Sequence, residues 1–150
     1  RGIWPEFHGK KVGVVTVLLN RAYQNLANRV TEVDPVADPT DWDLVYSKYD
    51  ECMLNDVKRV NTPTITDKVD PAKLKELWPE IRKIIFETLP SDEKLTALMK
   101  AAGAATTPEE VHVGEELLEN ALRYHPYMRY RLLITRLMPM LGLDIMDFMK

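Results

Sequence analysis

The chain has 150 residues, 45% of them hydrophobic and 29% charged, the size and balance of one globular domain rather than a disordered tail. A formal net charge of -3 is too small to make a polyanion such as nucleic acid the main partner, and a single cysteine, Cys52, excludes an internal disulfide and favours a cytoplasmic setting. No apolar run reaches the roughly 18 residues of a membrane span, because Arg21 interrupts the best one, so no membrane partner is expected.

Near the start, Val12, Val15, Leu19, Ala22, Leu26 and Val30 recur every three to four residues. That spacing predicts a long buried helix continuing past Val30, although KVGVVTVLLN is rich in β-branched residues that favour strands. VDPVADPT, residues 33–40, carries two Asp-Pro pairs and reads as a linker. DWDLVYSKYDECMLNDVKRV predicts one modest helix with Cys52 on its buried face, and TPTIT could form a short extended piece. Asp70-Pro71 then supplies an N-cap and a proline at N1 for a helix reaching about Leu89.

Ser91 opens the next helix, which stops at Gly103. Thr107-Pro108-Glu109-Glu110 begins a short turn ended by Gly114, and Glu115 begins a longer helix that Pro126 breaks. The helical period resumes in MRYRLLITRLMPML, and GLDIMDFMK is a methionine-rich tail. The expected class is therefore all-α, a helical bundle, with residues 1–150 one helical domain. One core is expected to hold Val15, Leu19, Leu26, Ile81, Ile85, Leu118, Leu122 and Leu133.

Charge is unevenly spread. Thr31 to Asp56 holds eight acids against Lys48 alone, whereas Asn120 to Leu143 holds Arg123, Arg129, Arg131 and Arg136 and no acid. Two such surfaces can pair with each other or with partner subunits, and a homo-oligomer is open.

Residues able to carry chemistry are few. His112 has no second ligand at metal spacing, and His125 lies among cationic and aromatic neighbours that hold an imidazole neutral. Cys52 has acidic neighbours, which oppose a thiolate nucleophile. Glu109/Glu110 and Glu115/Glu116 stand in first turns, where the helix dipole accounts for them. No Gly-rich phosphate loop, dinucleotide fingerprint, nucleophile elbow, CxxC or HExxH is present, so no catalytic or cofactor-binding residue is assigned. His8 differs by position. It stands at the first turn of the longest helix, where the dipole favours the uncharged imidazole that binds metal, and Gly9 leaves room beside it.

FHGKKVGVVT resembles the HGEKVGxGT-like segment of the iron-containing alcohol dehydrogenase and dehydroquinate synthase superfamily. The run AAGAATTPEEVHVGEELLENALRYHPYMRYRLLITRL is similar to the C-terminal end of its sn-glycerol-1-phosphate dehydrogenases. The resemblance implies the helical C-terminal domain of a longer two-domain protein, an NAD(P)-dependent oxidoreductase acting on a polyol phosphate or dihydroxyacetone phosphate. It makes His8 the last ligand of a divalent metal (zinc, with iron or nickel as alternatives). An aspartate and another histidine upstream would supply the rest, and an N-terminal nucleotide-binding domain of the same parent would be the partner. Lys10 stands where that family has Glu, and Val15 where it has a second glycine. On this reading the chain alone binds neither cofactor and is inactive. The competing reading is a non-catalytic helical module whose charged faces bind proteins.

Overall fold

The computed structural model describes residues 8–150. Within them the protein is all-α, as the sequence predicts. The order is α1 (His8–Arg29), α2 (Trp42–Tyr46), α3 (Glu51–Val60), α4 (Pro71–Thr88), α5 (Asp92–Ala101), α6 (Glu115–Tyr124) and α7 (Ile134–Leu141). Short 3₁₀ turns at Ile65–Lys68, Pro108–Val111, His125–Met128 and Ile145–Phe148 link them, and no strand occurs among the described residues. No helix among them is long and apolar enough to cross a membrane.

Helix α1 is the axis of the fold. It touches α4, α5 and the 3₁₀ turns Pro108–Val111 and Ile145–Phe148. Val14, Leu18, Ala22 and Leu26 enter the main core with Trp78, Leu122, Met138 and Phe148. Small side chains at Ala22 and Ala27 and at Gly13 let neighbours approach from several sides. The C-terminal carbonyls that a helix leaves open are met by α4: Trp78 Nε1 donates to Val30 O at 3.0 Å and Arg82 Nε to Ala27 O at 2.7 Å. Asn25 Nδ2 donates to Phe148 O at 2.8 Å and fixes the tail against the same helix.

Helix starts follow the predicted chemistry closely. The Asp70 carboxylate accepts from Ala72 N, with Pro71 at N1, and the Ser91 hydroxyl accepts from Lys94 N. Thr107 and Glu110 form a reciprocal capping box around Pro108–Val111.

Five expectations need correcting, the last of them for Arg136. Helix α1 ends at Arg29 rather than past Val30, and its buried face is turned toward Val14, Val17 and Leu18, leaving Val12 46% exposed. The apolar period there is dense enough to support two neighbouring faces, and packing selects between them. Residues 41–60 form two helices, broken at Ser47–Asp50, and the turn puts Cys52 on the surface. TPTIT leads into a 3₁₀ turn rather than a strand. Val15 and Leu133 are only partly buried and stand outside the main core, and Ile85 is buried apart from it. Leu26 and Leu122 lie in that core, with Leu19, Ile81 and Leu118 packed against it.

Arg136 overturns its surface assignment most completely. On α7 it is 1% exposed, and its Nη2 lies 3.0 Å from Asp38 Oδ2. Nη2 also donates to Thr64 Oγ1 at 2.7 Å and Thr66 Oγ1 at 3.2 Å. The guanidinium carbon sits 4.5 Å from the Tyr127 ring centre and 5.3 Å from that of Trp42, so the cation rests against two rings that meet edge to face. Asp38 in turn accepts from Thr40 N and Oγ1 and from Thr66 Oγ1. Burial alone would raise the Asp38 carboxyl. The hydrogen bonds from Thr40 and Thr66, with the charge of Arg136, outweigh burial and hold it below the ordinary carboxylate range. One acid of the acidic segment and one base of the basic segment thus do pair with each other, but inside the protein.

Removing one partner of a buried pair strands the other charge, at a cost of about 3–5 kcal/mol. Asp38→Ala should lose that much in urea unfolding at neutral pH, whereas Asp56→Ala, whose Arg59 partner is exposed, should lose less than about 1 kcal/mol. Equal losses would show that the buried pair does not hold the fold.

Candidate functional site

His8 occupies the first described turn of α1 and is exposed, with Gly9 and Lys10 exposed beside it. Phe7 of the FHGKKVG segment lies outside the described residues. The residues that follow His8 form an apolar ridge. On one flank a shallow groove runs past Lys11, Val12, Val15 and Leu19. On the other, Lys11 and Val15 border a second groove walled by Val111, Leu117 and Leu118. Leu117 is 64% exposed. The segment between the Pro108–Val111 turn and α6 therefore leaves a continuous apolar surface beside His8, partly uncovered by the rest of the chain.

The two glycines of the motif have different surroundings. A Cβ on Gly9 would meet nothing within 4 Å, so that position is open but not crowded. A Cβ on Gly13 would lie 2.8 Å from the backbone oxygen of Ala105 and 3.2 Å from Met99 Cε. Gly13 is the close-approach glycine: it lets α1 lie against the chain leaving α5. The AAGAATT stretch and the HGKKVG stretch, far apart in sequence, therefore meet in the fold.

Among the described residues no three His, Cys, Asp or Glu side chains group to hold a metal. His8 supplies one imidazole, and a catalytic zinc-type site needs three protein ligands. The described residues alone do not fit a metal centre.

The other candidates fall into structural roles. His112 is exposed and closes the Pro108–Val111 turn with φ 52°. His125 is half-buried: its Nδ1 is 2.9 Å from Leu122 O and its Nε2 3.4 Å from Thr135 Oγ1. Burial, rather than the cationic neighbours expected, lowers its affinity for a proton. Glu110 is a cap; its carboxylate accepts from Thr106 N at 2.7 Å and Thr107 N at 2.9 Å. Arg123 grips Asp144 through Nε at 2.9 and 3.1 Å and also bonds Glu119. This ties α6 to the tail rather than to a ligand. The sequence does not reveal the apolar ridge, because the helical period places Val12 and Val15 inward.

The chain is similar to the glycerol-1-phosphate dehydrogenase [NAD(P)+] of Geobacillus stearothermophilus, at 28% identity over 116 residues. The relationship is distant. The match takes in 77% of this chain but 22% of the relative, so the chain spans about a fifth of the length of the enzyme it resembles. No protein-family model and no solved structure matches it.

Gly13→Ala should destabilise the protein by about 1–3 kcal/mol, because a backbone oxygen cannot yield as a side chain can. Gly9→Ala should be neutral or slightly stabilising. Thermal unfolding of the two variants side by side checks this, and equal melting temperatures would refute the close-approach role of Gly13.

Proposed function

We propose that this chain is the helical, C-terminal part of an NAD(P)-dependent, metal-containing oxidoreductase of the glycerol-1-phosphate dehydrogenase type, with a polyol phosphate or dihydroxyacetone phosphate as substrate. The observation that carries the reading is the similarity over 116 residues to an enzyme of that name. The all-helical architecture and an exposed imidazole at the start of α1 support it.

On this reading the intact protein supplies what the chain lacks. An aspartate and a second histidine from the preceding part would complete a divalent metal site with His8, and a nucleotide-binding domain would hold NAD(P). In such an enzyme a bound divalent metal would supply Lewis-acid chemistry to the substrate hydroxyl, and NAD(P) would be the hydride acceptor. This chain contributes one imidazole and the surface that the nucleotide-binding half would cover. Val12, Val15 and Leu117 suit that covering, since apolar side chains beside a reactive site exclude water once another domain closes over them. Lys10, in place of the family's Glu, adds positive charge two residues from His8. It should weaken metal affinity relative to a Glu at that position.

In the intact protein, His8→Ala should lose most of both the bound metal and the turnover. His112→Ala and His125→Ala should retain both, since one caps a turn and the other bonds inside the bundle. Metal content and rate of the three variants are measured together. Should His8→Ala keep its metal and its rate, the histidine is only a helix start and the metal assignment is wrong.

A further inference from the structure

We infer that α5 is a strap that opens from α1 as one unit while the rest of the bundle stays folded. Its opening uncovers the side of α1 between Gly13 and Arg21, on the same helix that begins at His8. Every other α-helix among the described residues buries at least one residue. Helix α5 buries none, and Leu98 on it is 58% exposed.

What holds α5 to α1 is largely polar. Asp92, Thr96 and Met99 stand at positions i, i+4 and i+7 and so share one face of the helix. That face is turned to α1: Asp92 Oδ2 accepts from Arg21 Nε at 2.9 Å, and Met99 Cε lies 3.2 Å from where a Cβ on Gly13 would stand. The ion pair is partly open to water, where such a pair contributes little.

The same seam holds buried oxygens that the protein leaves unmatched. No protein group donates to Asn20 Oδ1 or to Asp92 Oδ1, and the Thr96 hydroxyl has no partner. Asn20 belongs to this seam because its Nδ2 donates to Pro90 O at 3.1 Å, two residues before Asp92. A buried oxygen without a protein partner opposes docking, since it gives up hydration and gains no bond within the fold. Opening α5 returns these oxygens to water at the cost of few apolar contacts.

The two ends of the strap are anchored. Before it, Pro90 O accepts from both Asn20 Nδ2 and Gln24 Nε2, which pins the chain to α1. After it, Ala105 and Thr106 are buried. Between Thr106 and the helix, Gly103 turns at φ 71°, and a Cβ there would meet nothing within 4 Å. A short helix with weak apolar contacts, fixed at both ends and followed by a glycine turn in open space, can swing or unwind without drawing the core along.

Native-state hydrogen exchange tests this residue by residue. The amides from Leu95 to Ala102 bond within α5 and its last turn. They should exchange together, with protection at least about a hundredfold below that of the slowest amides of α1, α4 and α7. Met140→Ala, in the cluster with Leu74 and Leu137, should speed the slowest amides of α4 and α7 at least about tenfold. It should leave α5 rates unchanged, because the opened form keeps that cluster intact. Thr96→Val removes an unpartnered hydroxyl at nearly constant shape and should slow α5 exchange about three- to tenfold. Thermal melting confirms that both variants fold. Protection of α5 equal to that of the core, α5 rates that rise with Met140→Ala, or α5 exchange that is unchanged or faster in Thr96→Val would each overturn the inference.

Discussion

The interaction on which the rest of the structure depends is the buried pair of Arg136 with Asp38. Every hydrogen-bonding or ion-pair partner of that guanidinium lies outside the α-helices: Asp38 and Thr40 in the linker after α1, Thr64 and Thr66 in the loop and 3₁₀ turn before α4. Irregular backbone has no ladder of its own to hold it, so side-chain bonds must do so. One charged residue on α7 gathers two loops and, through the rings of Trp42 and Tyr127, the start of α2 and the turn after α6. A buried pair of this kind is weak evidence for net stability against an apolar replacement. Its value is in specifying one arrangement, since any other leaves a desolvated charge.

With the loops fixed, α1 can serve as the axis and still leave its first turns uncovered. Its middle and C-terminal parts are enclosed by α4, α5 and the tail. Its first turns are covered on one side only, where Gly13 lies against Ala105. That asymmetry is what places His8 and Val12 at the surface in a helix that is otherwise a core element. On the proposed reading, the metal ligand His8 would stand in the part of the axis that the bundle does not close around.

Local rules reach far in this sequence. The caps at Asp70, Ser91 and Thr107, the left-handed glycine at 103 and the break at Pro126 all depend on groups within a few residues of one another, and each is legible. What is not legible is decided over long distances. Cys52 has helical spacing that suits burial, but the break at 47–50 rotates α3 and carries it outward. Arg136 sits in a run with three other arginines, and nothing local says that its partner is Asp38. The signal available is weaker: a threonine-rich NTPTIT loop and two Asp-Pro pairs, polar groups that a buried cation would need. At the candidate site, the histidine and its place at a helix start are legible. The apolar ridge is not, because a period of three to four in so apolar a helix fits more than one face.

The proposed place of this helical chain in a metal-dependent dehydrogenase is tested most directly by substrate oxidation in the intact protein under metal control. Glycerol-1-phosphate should drive NAD(P) reduction, chelation followed by dialysis should abolish it, and adding back zinc, nickel or ferrous iron should restore it. Reduction that survives complete removal of metal, or no reduction with any of these ions present, would contradict the account.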